Sequence, residues 1–204
     1  MTRMFLTACL LAGLSLPASA ASLSKTYSYF SIGGLTLEEI EVELNTRGPK
    51  VSSTGRRHPG ATQMEFTTRL GYANSDSGCS VVKTQVTVAA KVILPRWRHR
   101  ARADGDTRMI WDTLSSDIKR HEESHVVIAR NHARELETAL KGIGRQKDCE
   151  TAANRAKAIT AEVLERHDEA QDRFDRIEGI NFESRIMRLL QYRLEQADAA
   201  ARRG

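Results

Sequence analysis

The chain has few cysteines, and beyond residue 20 it has no apolar run long enough to cross a membrane. Three cysteines occur in 204 residues, and Cys79 and Cys149 are too far apart to form a zinc-binding cysteine motif. The absence of internal repeats and long linkers favours a single domain. The formal net charge is +5, but both signs are mixed along the chain. Nothing resembles a nucleic-acid-binding module, so we expect no nucleic-acid partner.

The amino terminus has the features of a secretory signal peptide. Arg3 supplies a short positive region, residues 4–16 are mostly apolar, and residues 17–20 end in a small-x-small cleavage site. The apolar run is too short for a membrane-spanning helix, and no stable membrane insertion is expected. We therefore expect cleavage after Ala20, a periplasmic or secreted protein, and one mature domain formed by residues 21–204.

The sequence His-Glu-Glu-Ser-His at residues 121–125 fits the pattern H-E-x-x-H. On a helix, two histidines four residues apart project from one face and can bind one zinc ion. The glutamate beside the first can accept a proton from a zinc-bound water. The pattern predicts His121 and His125 as ligands of Zn²⁺ and Glu122 as the general base. The alternative is a pair of core histidines hydrogen-bonded to carboxylates or carbonyls.

Apolar residues recur at helical spacing on both sides of this motif. They are Trp111, Leu114, Ile118, Ala129, Leu136 and Leu140. His121, His125 and His132 fill gaps in the same stripe, at steps of three and four residues. The pattern predicts one long amphipathic helix, from near Asp106 to near Gly142, whose histidines face inward.

Before this helix, the pattern predicts three strands and a short helix. The first strand covers residues 27–32, and the short helix begins at a capping box whose first residue is Thr36. Alternating apolar residues predict strands around residues 64–72 and 82–94. We expect these two strands to form a hairpin, with Pro95 ending the second.

After the histidine helix, two C-terminal helices are predicted. One covers about residues 151–177, Gly179 breaks it, and a last amphipathic helix begins near Phe182. The order of elements suits an α+β fold, a small zincin-like domain. It has a short antiparallel sheet beside the long helix that carries the H-E-x-x-H motif. An extended peptide could join the edge strand of such a sheet.

Short segments on both sides of the motif follow one another in a fairly specific order and spacing. They are Tyr27-Ser28-Tyr29-Phe30 with Gly34, Arg47-Gly48-Pro49, Gly78-Cys79, Leu94-Pro95-Arg96-Trp97, Trp111, the motif itself, Cys149, and Phe174-Asp175-Arg176-Ile177-Glu178. In these segments the chain resembles the predicted secreted zinc-dependent proteases catalogued as domain of unknown function 922. The resemblance spans nearly all of the mature chain up to Glu178.

The resemblance implies an exported bacterial metallopeptidase that acts on a peptide or protein, with His121 and His125 as zinc ligands and Glu122 as catalytic base. It does not imply a particular substrate. Many members of the family carry Tyr-Asp followed shortly by Thr-x-His-Gly. Here Ile180 occupies the place of that histidine, so its role is not carried over.

The two cysteines of the mature chain predict a disulfide. Removal of the signal peptide takes away Cys9 and leaves Cys79 and Cys149 in an oxidising compartment, which favours a bond between them. The family resemblance implies the same Cys79–Cys149 bridge. It would connect the sheet region to the loop that follows the histidine helix.

A catalytic zinc has three protein ligands and one open position, and the motif supplies only two of them. The family resemblance favours Asp175 as the third ligand, with Glu178 next. If the two helices form a simple antiparallel hairpin, the motif faces roughly residues 166–170, which favours His167 instead. His132 lies two turns beyond His125, and we interpret it as a core or outer-layer histidine.

Two questions remain open from the sequence. A hydrolase needs a donor for the oxyanion, and Tyr192, His132 and the arginines near Trp97 are all candidates. The motif predicts an exported zinc peptidase, but two other functions are compatible with the chain. One is a hydrolase of cell-wall peptide, and the other is a non-enzymatic periplasmic helical protein with structural zinc or none.

Overall fold

A computed structural model describes residues 21–51 and 55–203, and the predicted signal peptide lies outside this range. The elements are β1 (Ser22–Ile32), α1 (Leu37–Arg47), β2 (Ala61–Ser75), β3 (Gly78–Trp97), α2 (Gly105–Lys141) and α3 (Cys149–Ala201). A short 3₁₀ turn, Arg100–Arg102, connects β3 to α2. The α+β class is confirmed. Among the described residues, none of the helices combines the length and the apolar character needed to cross a membrane.

The three strands form one mixed sheet in which β3 lies between β1 and β2. β2 and β3 form the antiparallel hairpin that the sequence predicts. The prediction of a wholly antiparallel sheet is wrong in one respect, because β1 pairs parallel to β3. Side chains alternate between the two faces in both kinds of pairing, so the sequence pattern does not reveal the direction of the partner strand.

β3 continues through Pro95, although the sequence predicts that it ends there. The first residue of β2, Ala61, pairs with Ile93, so within residues 21–51 and 55–203 the part of β3 beyond this point has β1 as its only neighbouring strand. A proline is tolerated on a strand with one free side, because no donor is needed there. The extension brings Trp97 into a cluster with Trp111, whose ring centre is 5.6 Å away.

Both long helices pack on one face of the sheet. β3 contributes alternating buried residues to this face, and small residues at the helix contacts allow close approach. The main cluster contains Val86, Val88, Ala129, Ala133, Leu136, Leu140, Ile143, Ala156 and Val163. α2 lies across β3 and also meets β2, while α3 packs mainly against the side of α2 and touches both β3 and β2. The functional motif therefore lies where α2 faces both the sheet and α3.

The two C-terminal helices that the sequence predicts are one continuous helix of 53 residues. Gly179 lies within α3 and does not break it. A glycine in a helix costs only about 1 kcal/mol, and α3 is held to α2 on both sides of this position. Glu178 binds Arg120, and Arg185 binds Asp117.

The loop between α2 and α3 is bound to the beginning of β3. Cys79 and Gln146 exchange two backbone hydrogen bonds, each 2.8 Å long. The predicted disulfide joins Cys79 to Cys149, the first residue of α3. These contacts draw the loop towards the sheet, and they set the starting point of α3 relative to α2.

Removal of the disulfide should lower the free energy of unfolding by about 2–4 kcal/mol, because the bridge restricts the unfolded chain. The bridged cysteines are 70 residues apart in sequence. Urea unfolding of the wild type and of the Cys79→Ala/Cys149→Ala double variant would measure this difference. A reductant should destabilise the wild type and leave the variant unchanged. Identical unfolding curves for the oxidised wild type and the variant would contradict the prediction.

Candidate metal centre

His121, His125 and Asp175 come together between α2 and α3. The Nε2 atoms of the two histidines are 3.1 Å apart. Oδ1 of Asp175 is 3.3 Å from Nε2 of His121 and 3.0 Å from Nε2 of His125. The three atoms form a nearly equilateral triangle, and each is able to act as a metal ligand. The side chain of Asp175 is 53% exposed, so the triangle is open to solvent on that side.

The offset between the two helices decides which residue of α3 meets the histidines. A simple hairpin would place residues 166–170 opposite the motif, but the loop at residues 142–148 is drawn towards β3. As a result, His125 contacts Gln171, and Asp175 lies one turn further along α3. Of the three candidates for a third ligand, Asp175 is the one whose oxygen completes the triangle.

Glu178, the second candidate, lies behind His121. Its Oε2 atom is 3.6 Å from Nδ1 of His121, on the opposite side of the ring from the triangle. The same carboxylate binds Arg120 and lies 3.2 Å from Arg185. Glu178 therefore lies outside the triangle, and its hydrogen bond is to Arg120.

His167, the third candidate, is buried and engaged by other groups. Its Nε2 atom is 2.8 Å from the Gln171 amide nitrogen, and its Nδ1 atom is 2.9 Å from Oδ1 of Asp168. Burial lowers the pKa of His167, although Asp168 opposes this effect. The ring also makes edge contacts with Phe66 and His132. His167 is therefore a core histidine outside the triangle.

A cluster of charged residues fixes α3 to α2 beside the triangle. The buried carboxylate of Asp117 binds Arg120 of α2 and both Nε and the terminal nitrogen of Arg185 of α3. Burial opposes the ionisation of Asp117, but its hydrogen bonds to the two arginines outweigh burial and hold its pKa below the ordinary value. Because both arginines also bind Glu178, the cluster extends to the carboxylate behind His121.

Phe174 covers the two histidine rings. Its ring stacks on His121, with ring centres 5.0 Å apart and planes 28° apart, and meets His125 edge-on at 5.1 Å. No role for Phe174 follows from the sequence alone. It precedes Asp175 directly, and its packing restricts both rings to orientations in which their Nε2 atoms converge.

The carboxylate of Asp175 is ionised in this environment. Burial opposes ionisation, but hydrogen bonds and charge interactions with His121 and His125 outweigh burial and hold the pKa of Asp175 far below its ordinary value. The pKa of His125 is raised, despite its burial, by Asp175 and Gln171. An anionic oxygen between two imidazole nitrogens gives the triangle a strong attraction for a cation.

Glu122 lies on the buried stripe of α2, with 5% of its surface exposed. The sequence pattern predicts the histidines on that stripe, but they lie at its edge and face α3. The Thr62 hydroxyl donates to Oε2 of Glu122 over 2.9 Å. Burial raises the pKa of Glu122, and the hydrogen bond from Thr62 opposes the rise. Glu122 therefore faces the start of β2 and is not part of the triangle.

Gly60 allows the chain to pass closely over Glu122. A Cβ atom at this position would lie 2.8 Å from Oε1 of Glu122 and 2.9 Å from Cγ2 of Ile118. Any larger residue would therefore push against the carboxylate or the core beneath it. Gly60 and Thr62 were not identified from the sequence, because their role depends on how the loop before β2 packs against α2.

The oxyanion donors considered from the sequence lie elsewhere. Tyr192 is 60% exposed and lies 17 positions beyond Asp175 on α3, about 25 Å along a helix. His132 contacts the carbonyl of Ile128. Among the arginines near Trp97, Arg100 binds Asp112.

The chain belongs to a bacterial family of unknown function, DUF922, whose sequence model matches residues 27–183. The matched range includes the triangle, Glu122, both cysteines and most of the described elements, and it ends within α3. No curated protein and no solved structure matches the chain. The description of the family names no activity.

Gly60→Ala should destabilise the fold by about 1–3 kcal/mol, because the added methyl group has no room beside Glu122 and Ile118. Gly179→Ala is the matched control. It adds the same methyl group within α3, where nothing lies within 4 Å, and should stabilise the protein by up to about 1 kcal/mol. Denaturant unfolding of both variants would measure the two changes. Equal stability of Gly60→Ala and wild type would show that the close approach is not required.

Proposed function

We propose that this protein is an exported zinc-dependent peptidase, with His121, His125 and Asp175 as zinc ligands and Glu122 as general base. The observation that carries the proposal is the convergence of two imidazole nitrogens and a carboxylate oxygen at mutual distances of 3.0–3.3 Å. Three atoms whose lone pairs are directed to one point need a cation between them. A proton on one imidazole can bridge only two of the three atoms at a time, whereas one metal ion can bind all three.

The size of the triangle supports zinc. Zinc binds histidine nitrogen at about 2.0–2.1 Å and carboxylate oxygen at about 2.0–2.2 Å. Ligands at tetrahedral angles are then about 3.3–3.5 Å apart. The three separations of 3.0, 3.1 and 3.3 Å come within a few tenths of an ångström of this range. Two histidines and one carboxylate are also a donor set that zinc prefers.

The number of ligands favours a catalytic zinc over a structural one. Structural zinc sites are usually closed by four protein ligands, whereas catalytic sites have three and an open position. Among the described residues, the candidate group consists of three donors, and Asp175 lies on its exposed side. This feature argues against the alternative of a non-enzymatic helical protein.

Glu122 supplies the second argument for catalysis. Zinc held by the triangle would polarise a scissile carbonyl and acidify a bound water. Glu122 would accept the proton of the attacking water and pass it to the leaving amine. Its raised pKa suits this exchange near neutral pH. A structural zinc site has no use for a buried carboxylate beside its ligands, because burial of such a charge costs free energy.

The edge of the sheet suggests how a peptide would bind. β2 has β3 on one side and, within the described part of the chain, no strand on the other. Its first residues lie against Glu122, through Thr62 and the preceding Gly60. An extended peptide paired with this edge would pass close to the general base. This placement favours peptide substrates, and cell-wall peptide is one source of them.

The mature protein should bind about one zinc ion per chain. This zinc should be lost in each of the variants His121→Ala, His125→Ala and Asp175→Ala. An open site has only three protein ligands, and two are too few to retain the metal. Zinc affinity and metal content of purified variants would test this, with His132→Ala as a control on the same helix. Glu178→Ala and His167→Ala should retain zinc, with weaker affinity. If only His167→Ala lost the metal, the ligand assignment would be wrong.

Glu122→Gln should reduce peptide hydrolysis by about 10²–10⁴-fold, the usual contribution of a general base, while zinc and fold are retained. Glu123→Gln is the matched control, since Glu123 is the next residue but binds Lys25 and Tyr27 away from α3. Cleavage of an unbiased peptide library would measure activity. Full activity of Glu122→Gln, or no cleavage by zinc-loaded wild type, would count against the peptidase.

A further inference from the structure

Gln171 lies between the candidate ligand His125 and the buried His167. Its Oε1 atom is 2.6 Å from Nδ1 of His125, and its Nε2 atom is 3.2 Å from the backbone oxygen of the same residue. The amide nitrogen is also 2.8 Å from Nε2 of His167. One side chain on α3 therefore makes two contacts with His125 on α2 and one with a histidine on its own helix.

These contacts fix the orientation of the amide. A backbone oxygen can only accept a hydrogen bond, so the Gln171 atom beside it has to be the nitrogen. The atom facing Nδ1 of His125 is then the amide oxygen, which also only accepts. Nδ1 of His125 therefore carries a proton, and in the neutral ring Nε2 has a free lone pair. This lone pair is directed into the triangle.

The second N–H of the Gln171 amide donates to Nε2 of His167. The proton of the neutral His167 ring is therefore on Nδ1, which donates to Oδ1 of Asp168 over 2.9 Å. The three bonds that link His125 to Gln171, Gln171 to His167 and His167 to Asp168 all run away from the triangle, towards the exposed carboxylate of Asp168. Hydrogen bonds aligned in this way strengthen one another.

We infer that Gln171 is a positioning residue: it selects the tautomer of His125 whose Nε2 can bind a metal, and His167 and Asp168 hold its amide in place. The metal in this inference rests on the proposed function, whereas the tautomer of His125 does not. His125 is thereby oriented by Gln171. An outer partner of this kind typically contributes 10–100-fold to metal affinity.

Zinc titration against a chromophoric chelator would test the effect on affinity. Gln171→Met removes the acceptor for Nδ1 of His125 at similar volume, and should weaken Zn²⁺ binding about 10–100-fold. Gln171→Glu keeps an acceptor at this position and should recover most of the affinity. Gln191→Met makes the same change on the exposed surface of α3, where Gln191 bonds Glu195, and should bind zinc like the wild type. Unchanged affinity of Gln171→Met would overturn the inference.

Long-range ¹H–¹⁵N NMR of the metal-free protein would test the tautomer directly, at a pH where the His125 ring is neutral. His125→Ala assigns the signal. The wild type should have its proton on Nδ1, and Gln171→Met should shift the ring towards the Nε2–H form. A wild-type ring protonated on Nε2, or equal tautomers in both proteins, would overturn the inference. If the tautomer shifts as expected but the wild type binds no zinc, tautomer selection is supported and the proposed function fails.

Discussion

The packing of α3 against α2 determines whether the donor atoms of the candidate site come together. The histidines and Glu122 lie on α2, and Asp175 with its neighbours lies on α3, so neither helix alone holds all three donors of the triangle. Three kinds of contact hold the helices together. The disulfide from Cys79 to Cys149 fixes the start of α3, apolar side chains pack along its first third, and a buried ion cluster around Asp117 fixes it beyond the triangle.

The polar contacts between α2 and α3 differ from apolar packing because they depend on how the two helices are aligned. Buried ion pairs contribute little net stability, because the desolvation of the charges offsets their attraction. They do, however, require one alignment of the partners. Arg185 pairs with the buried Asp117, and the partly exposed Arg120 pairs with Glu178, in the relative position of the helices that the structure shows. The donor atoms of the triangle need the same alignment, within a few tenths of an ångström.

The sequence predicted the parts of the site that lie within one element. His121, Glu122 and His125 follow from spacing on one helix, and the capping box at Thr36 is present as expected. Asp175 was favoured by family resemblance, whereas the simple hairpin argument pointed to His167. The structure places Gln171 and Asp175 opposite the motif, because the loop at residues 142–148 is bound to β3, which is distant in sequence.

Other features were hidden from the sequence for the same reason. The parallel pairing of β1 with β3 leaves the alternation of side chains unchanged. The continuity of α3 through Gly179 depends on contacts with α2 that outweigh a small local cost. Gly60 and Thr62 gain their importance only because the loop before β2 passes over Glu122. In each case, a contact between segments that are distant in sequence determines the local structure. The secondary-structure propensity of the local sequence does not reveal that contact.

Because α3 is one unbroken helix, its length sets the distance between the disulfide and the triangle. Cys149 is fixed at one end, and Asp175 has to meet the histidines 26 positions later. Each residue of a helix adds about 1.5 Å and turns the chain by about 100°. One inserted or deleted residue between them would therefore turn Gln171 and Asp175 away from α2. Insertions and deletions can accumulate in α3 beyond Arg193, where the helix is exposed, but not between Cys149 and Asp175.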